Sequence, residues 1–377
     1  MNDLKISINV EDKDGPWGGG NLFIKNLKTY LEADGHKVVF TLFEKDIDVI
    51  LIIDPRMLSE SVNYSIKDIK FYQKKINKNC KVVHRINECD ERKNTNGINE
   101  YYIEVNKIAD YTIFVSNWLK ETYIKSGFSS DNSSVIMSGS NNKIFNNSER
   151  AEWIKDEPLR IVTHHWGDSA NKGFDIYSLL DGSIKETNNG MIEFTFIGNV
   201  NKNAGLKSTN IIEPKFGLEL ANLIKKNHIY LTASINEPSG NHHIEGAQCG
   251  LPILYRNSGG IPEFTKGFGV GFKGKDDFFE KLEEIQKDYK VYFEKMNQYP
   301  YNSDLMSYEY LDLFKRLVNS KSDFELKNKE KEKFLFGMLF YNLNKFLNVI
   351  KVYKLKVRIK KYLLIKFPVL KNERKIV

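Results

Sequence analysis

Between Ile229 and Tyr255 the chain spells out one complete strand–loop–helix–strand unit. An apolar run, Ile229-Tyr230-Leu231-Thr232-Ala233, leads into Asn236-Glu237-Pro238-Ser239-Gly240-Asn241-His242-His243-Ile244-Glu245-Gly246. A second apolar run, Leu251-Pro252-Ile253-Leu254-Tyr255, follows, and then Gly259-Gly260-Ile261-Pro262-Glu263. The Pro, Ser, Gly and Asn in the middle close a strand and open a helix. Such a unit belongs to a parallel α/β sheet, which binds its ligands at the carboxyl ends of its strands. Two carboxylates, Glu237 and Glu245, stand at that place with seven residues between them.

The same alternation runs through the chain twice. In the first series, Leu4–Val10, Lys37–Leu42, Asp48–Ile53, Lys81–His84 and Tyr111–Val115 read as strands. The unbroken apolar run of the third fits a strand buried on both faces. Asn21–Asp34 reads as a helix with Leu22, Phe23, Leu27, Tyr30 and Leu31 near one face, stopped by Gly35. The alternation restarts at Arg160–Thr163 and continues through Glu193–Ile197, Ile229–Ala233 and Pro252–Tyr255. The polar stretch Asn141–Pro158 reads as a link between two α/β domains. The expected division is 1–150 and 151–302, then a helix over 303–320 and a tail over 321–377. A length of 377 residues suits two cores.

Charge is unevenly spread. The chain carries +7, but residues 321–377 hold 16 Lys/Arg against 5 Asp/Glu, a net of +11 that leaves −4 for residues 1–320. A mildly acidic body disfavours nucleic acid as a partner. Cys80, Cys89 and Cys249 have neither disulfide nor zinc spacing. A reducing cytoplasm fits. Met1–Val10 reads as a strand and not a secretory leader, and no apolar run approaches the ~18 residues of a membrane span. His242, His243 and Glu245 lack a chelating spacing, so no metal site and no cofactor are expected. Asp12-Lys13-Asp14 and Asp46-Ile47-Asp48 both spell D-x-D, a common tripeptide that carries no weight beside two Rossmann-like halves.

The string from Glu237 through Glu245 to Gly259-Gly260 resembles the E-x7-E motif and following Gly-Gly element of glycosyltransferase family 4, over roughly residues 4–318. The resemblance implies a GT-B fold, two facing Rossmann-like domains with parallel sheets. It implies retaining transfer of a sugar from a nucleotide-diphosphate donor. In that frame Gly18-Gly19-Gly20, between first strand and first helix, resembles the family's diphosphate loop, with Gly19 and Gly20 as donor-binding residues. Glycines let backbone N–H groups approach an oxyanion at a helix N-terminus. Lys172, in Asn171-Lys172-Gly173, looks like the family's phosphate lysine. Family members often place an Arg shortly before it. This chain has none between Arg160 and Lys172, which leaves His164, His165 or a distant Arg for that place. Glu245 resembles the ribose carboxylate, and Glu237 the carboxylate beside the transferred sugar. Ser239, Gly240 and Asn241 would present N–H groups, and Gly260 completes the donor loop. His84, at the end of a first-domain strand, resembles the family's cleft histidine, although a half-buried loop residue reads nearly as well. Ser303–Val318 resembles the helix that crosses back to the first domain.

The tail falls outside the resemblance. Over 330–361, Leu335, Leu339, Phe346, Ile350, Tyr353 and Val357 gather on one side of a helix, opposite Lys333, Lys351, Lys354 and Arg358. Two readings stand equally: a helix lying on an anionic membrane surface, or one packed on the body. The first would place the protein peripherally on the inner face of the plasma membrane. The expectation is a glycosyltransferase acting on a glycan or lipid-linked acceptor in bacterial surface polysaccharide synthesis. Two alternatives remain: a sugar-nucleotide epimerase of the same fold, and a non-catalytic nucleotide-sugar-binding scaffold.

Overall fold

The computed structural model describes residues 3–320, apart from 14–17, 58–59, 130 and 188–189. The basic tail, with the helix expected over 330–361, lies outside the described residues. Each apolar run becomes a parallel strand. The first sheet holds β1 (Lys5–Ile8), β2 (Lys37–Val39), β3 (Val49–Ile52), β4 (Lys81–Ile86), β5 (Tyr111–Phe114) and β6 (Ser133–Val135), in the order β2-β1-β3-β4-β5-β6. The second holds β7 (Leu159–His165), β8 (Ile192–Gly198), β9 (Asn210–Ile212), β10 (Ile229–Thr232), β11 (Ile253–Arg256) and β12 (Gly269–Phe272), in the order β12-β11-β10-β7-β8-β9. Helices cover both faces, so the central strands are buried throughout, as β3 and β10 are. The molecule is two doubly wound α/β domains. β6, β9 and β12 are absent from the sequence reading. All three are edge strands, and Ser-Ser-Val or Gly-Val-Gly-Phe lacks the apolar density of a central one.

The helix Ser303–Asn319 leaves the second domain and packs on the first. Met306, Tyr310, Leu311, Leu313 and Phe314 join Ile6, Ile8, Phe23 and Leu27 in one core cluster. Asn302 caps the helix by accepting from the Leu305 N–H. Where the chain crosses, Ser140 pairs with Asn302, and the Ser303 N–H donates to the Ser140 carbonyl over 2.7 Å.

A second join is made by side chains. Glu263 of the second domain accepts from the backbone N–H groups of Asn117 and Trp118, each over 2.7 Å. Those donors begin the first-domain helix Asn117–Lys125, so one domain's carboxylate caps a helix of the other. Among the described residues no helix is long and apolar enough to cross a membrane.

Candidate active site

The carboxyl ends of both sheets face one cleft of about 510 Å³. From the first domain, the start of the Gly19–Ala33 helix forms one wall. From the second, the loop Glu237–Gly240 and the start of the helix Asn241–Gln248 form the other. The two helix N-termini nearly meet. A methyl group built on Gly19 would stand 3.0 Å from the Asn241 side chain. Neither helix has a side-chain cap or an acidic residue in its first turn. Partial positive charge from both therefore converges on the same space. Gly240 carries φ +78°, which turns the loop sharply into its helix and strains any other residue.

Glu237 is 5% exposed and lies between two cations. One oxygen is 2.7 Å from Lys172 Nζ, and the other is 3.1 Å from Arg92 Nε. Burial pushes the Glu237 carboxyl up, but the charges of Lys172 and Arg92 outweigh it and hold the group at about 2. Arg92 is reciprocally raised, first by Glu237. It comes from the first domain, in the short helix Asp90–Lys93 after β4. That helix is tied across the cleft: Asn171 donates to the Arg92 carbonyl over 2.8 Å, and Asn236 to the Glu91 carbonyl over 3.2 Å. Sequence reasoning looked for a second cation beside Lys172 and missed Arg92. The available signal was its place just past the end of a central strand, where an α/β sheet collects ligand groups.

Glu245 is also 5% exposed and accepts from His164 Nε2 over 2.8 Å. An ionised carboxylate only accepts, so His164 donates through Nε2 and its Nδ1 takes the Tyr230 hydroxyl over 2.9 Å. His165 and His242 lie alongside with ring centroids 4.6 Å apart, and burial holds both well below the usual histidine range. This part of the second-domain wall thus sets the fixed Glu245 carboxylate beside the neutral imidazoles of His165 and His242, a surface suited to hydroxyl groups. Ser239 lines it too, its Oγ buried without a hydrogen-bond partner.

Gly19, Gly20, Lys172, Glu237, Ser239, Gly240, Asn241 and Glu245 are all brought to this cleft. Two residues are not. His84 lies within β4, which runs two residues further than expected, and alternation turns its ring away from the cleft. Its Nδ1 bonds Asn106 over 3.0 Å, its ring packs near Tyr102, and burial lowers it to about 4. Its neighbour Arg85 lines the cleft instead. Gly260 also stands behind the wall. Its N–H donates to the Glu237 carbonyl over 2.9 Å, and a methyl group there would lie 2.3 Å from the Pro238 carbonyl oxygen and 2.8 Å from Ser116 Cβ. It shapes the loop and does not face a ligand. Among the described residues no cluster of three His, Cys, Asp or Glu is placed to hold a metal ion.

No protein-family model and no curated protein sequence matches the chain. Solved structures do. The chain is similar to a glycosyltransferase from Rickettsia africae, at 15% identity and TM-score 0.58, over 85% of this chain and 100% of that one. It is similar to sucrose-phosphate synthase from Thermosynechococcus elongatus, at 15% identity and TM-score 0.59, over 84% and 99%. It is similar to Anabaena HepE in complex with UDP-glucose, at 12% identity and TM-score 0.60, over 83% and 100%. At these identities the likeness defines the fold. The chain has the two-domain GT-B fold.

Proposed function

We propose that this protein is a retaining, family 4-like glycosyltransferase that moves a sugar from a nucleotide-diphosphate donor to a glycan or lipid-linked acceptor. The observation that carries the reading is the grouping of Lys172, Arg92 and two uncapped helix N-termini around Glu237 in an interdomain cleft. Departure of a nucleoside diphosphate builds negative charge, and preorganised donors aimed at that charge supply the largest share of catalysis. In this reading Lys172 and Arg92 turn from Glu237 to the diphosphate. Glu245, oriented by His164, accepts the ribose hydroxyls, and Glu237 with the Ser239–Asn241 backbone holds the sugar. The departing phosphate takes the acceptor proton. The acceptor binds on the first domain, where a cavity of about 320 Å³ adjoins the cleft.

Similar structures include complexes with UDP-glucose, with UDP, and with ADP and acarbose, and WaaG, described as a glycosyltransferase involved in lipopolysaccharide biosynthesis. These support a nucleotide-sugar donor and, more distantly, an acceptor in bacterial surface polysaccharide assembly. The basic tail would bring the enzyme to the membrane face where such acceptors lie.

The test is donor consumption from a panel of UDP-, GDP-, ADP- and CMP-sugars with a lipid-linked glycan acceptor. One donor is expected to turn over, unaffected by EDTA, and Lys172→Ala and Glu245→Ala are each expected to slow it by about 10²-fold or more. Near-normal turnover in both variants would remove the assignment. Donor conversion without acceptor would move it to an epimerase.

A further inference from the structure

Arg85 is a charged residue of this cleft that the proposed reaction does not use. It lies on β4, is 4% exposed, and lines the cleft wall. Its Nε and Nη1 have no hydrogen-bond partner, and among the described residues no carboxylate pairs with it. Its guanidinium carbon stands 4.0 Å from the centroid of the Phe23 ring, and the polar group beside it is the phenol of Tyr310. Burial pulls Arg85 below its ordinary range. An arginine keeps its charge in proteins, and an uncompensated buried charge is strongly destabilising. Arg85 alternates with His84 along the strand, so it points to the side where the Gly19–Ala33 helix begins. That fifteen-residue helix starts with no side-chain cap and no acidic residue in its first turn, and Gly18, Gly19 and Gly20 line the same cleft. An open helix N-terminus and an unpaired guanidinium therefore share one wall, inside a body that is net acidic.

We propose that Arg85 is an anion-binding residue whose missing counter-charge is a phosphoryl oxyanion seated at the start of the Gly19–Ala33 helix. The site itself follows from the unpaired cation. That the anion belongs to a nucleotide donor rests on the function proposed above. A phosphoryl group fits because it offers several acceptor oxygens to a planar set of donors and to backbone N–H groups together.

The test separates ligand binding from stability, because here they move in opposite directions. Arg85→Met keeps the stacking volume on Phe23 and removes the unpaired charge. Its thermal midpoint without ligand is expected to equal or exceed that of wild type. Its affinity for inorganic pyrophosphate and for UDP or ADP, by titration calorimetry, is expected to fall about ten- to a hundred-fold. Affinity for the uncharged nucleoside should not change. Arg85→Lys, which keeps a charge on a shorter reach, should recover part of the loss. Equal anion affinity in wild type and Arg85→Met overturns the inference and leaves the proposed function standing. So does a fall in midpoint and affinity together that Arg85→Lys does not reverse, which marks a purely structural arginine. Arg85-dependent binding of pyrophosphate with no nucleotide binding sustains the anion site and removes the nucleotide-sugar reading. Pyrophosphate that UDP displaces assigns the site to the donor; pyrophosphate that UDP leaves in place assigns it to a phosphate on the acceptor. No binding of any probe to wild type overturns both.

Discussion

Under the proposed function Glu237 would serve two states of the same cleft. Without ligand it neutralises Lys172 and Arg92 together, at 2.7 and 3.1 Å. Its carboxyl is held at about 2, below the ordinary value, so it contributes stability that is complete above the unfolded-state value and is lost as pH falls toward 2. Glu237→Gln leaves two cations facing each other. It is expected to lower unfolding free energy at pH 7 by roughly 2–4 kcal/mol, measured by urea titration. The same variant should bind pyrophosphate more tightly while transferring sugar more slowly, since the cations no longer have a competing carboxylate. Loss of pyrophosphate affinity would contradict this account. The carboxylates were legible in the sequence because their spacing and turn residues are local. Arg92 and Arg85 were not, because what marks them out is a partner, or the lack of one, that only the fold supplies.

At the scale of elements, the site depends on what lies behind its walls. The Gly259-Gly260 turn carries the Glu237 loop on its back through the Gly260 N–H. Gly260→Ala would drive a methyl group to 2.3 Å from the Pro238 carbonyl, so loop and turn must separate. The expected cost is about 1–3 kcal/mol of stability. A roughly ten-fold loss of nucleotide affinity should accompany it, although Gly260 does not face the cleft. Calorimetric affinity equal to wild type would show that the loop position is not set from behind. This turn was read from the sequence as ligand-facing because a glycine pair signals close approach without saying to what. His84 was misplaced for a related reason. A strand end uncertain by two residues reverses nothing in the fold, but an error of one in alternation turns a side chain from cleft to core.

For the whole molecule, the pattern of histidines sets the acid limit. Five of the seven, His84, His165, His228, His242 and His243, are held below the ordinary histidine value, with burial as the leading cause; His84 and His228 lie at about 4 and His243 at about 3. The unfolded chain takes up these protons near pH 6.5 and the folded one does not. Stability is therefore complete above pH 6.5 and falls as pH drops toward 4, by up to about 1.4 kcal/mol per pH unit for each group. The melting temperature should decline steeply from pH 6.5 to 4.5, before Glu237 begins to titrate. A flat profile to pH 5 would show that these rings are solvated. The two-sheet architecture was legible because buried parallel strands advertise themselves as dense apolar runs. Three of the four edge strands, β6, β9 and β12, were not, since each is only three or four residues long and none has the apolar density of a central strand.

The two places where the chain passes between domains lie side by side, joined at Ser140 and Asn302. A body hung from one thread can swivel about three axes. A body hung from two threads laced together is left with the motion of a door, turning about the line they define. Any opening of the cleft would then return the Glu237 loop to the same facing of Arg92 and Arg85, so alignment across the cleft would be a property of the frame and would not have to be found anew by each ligand.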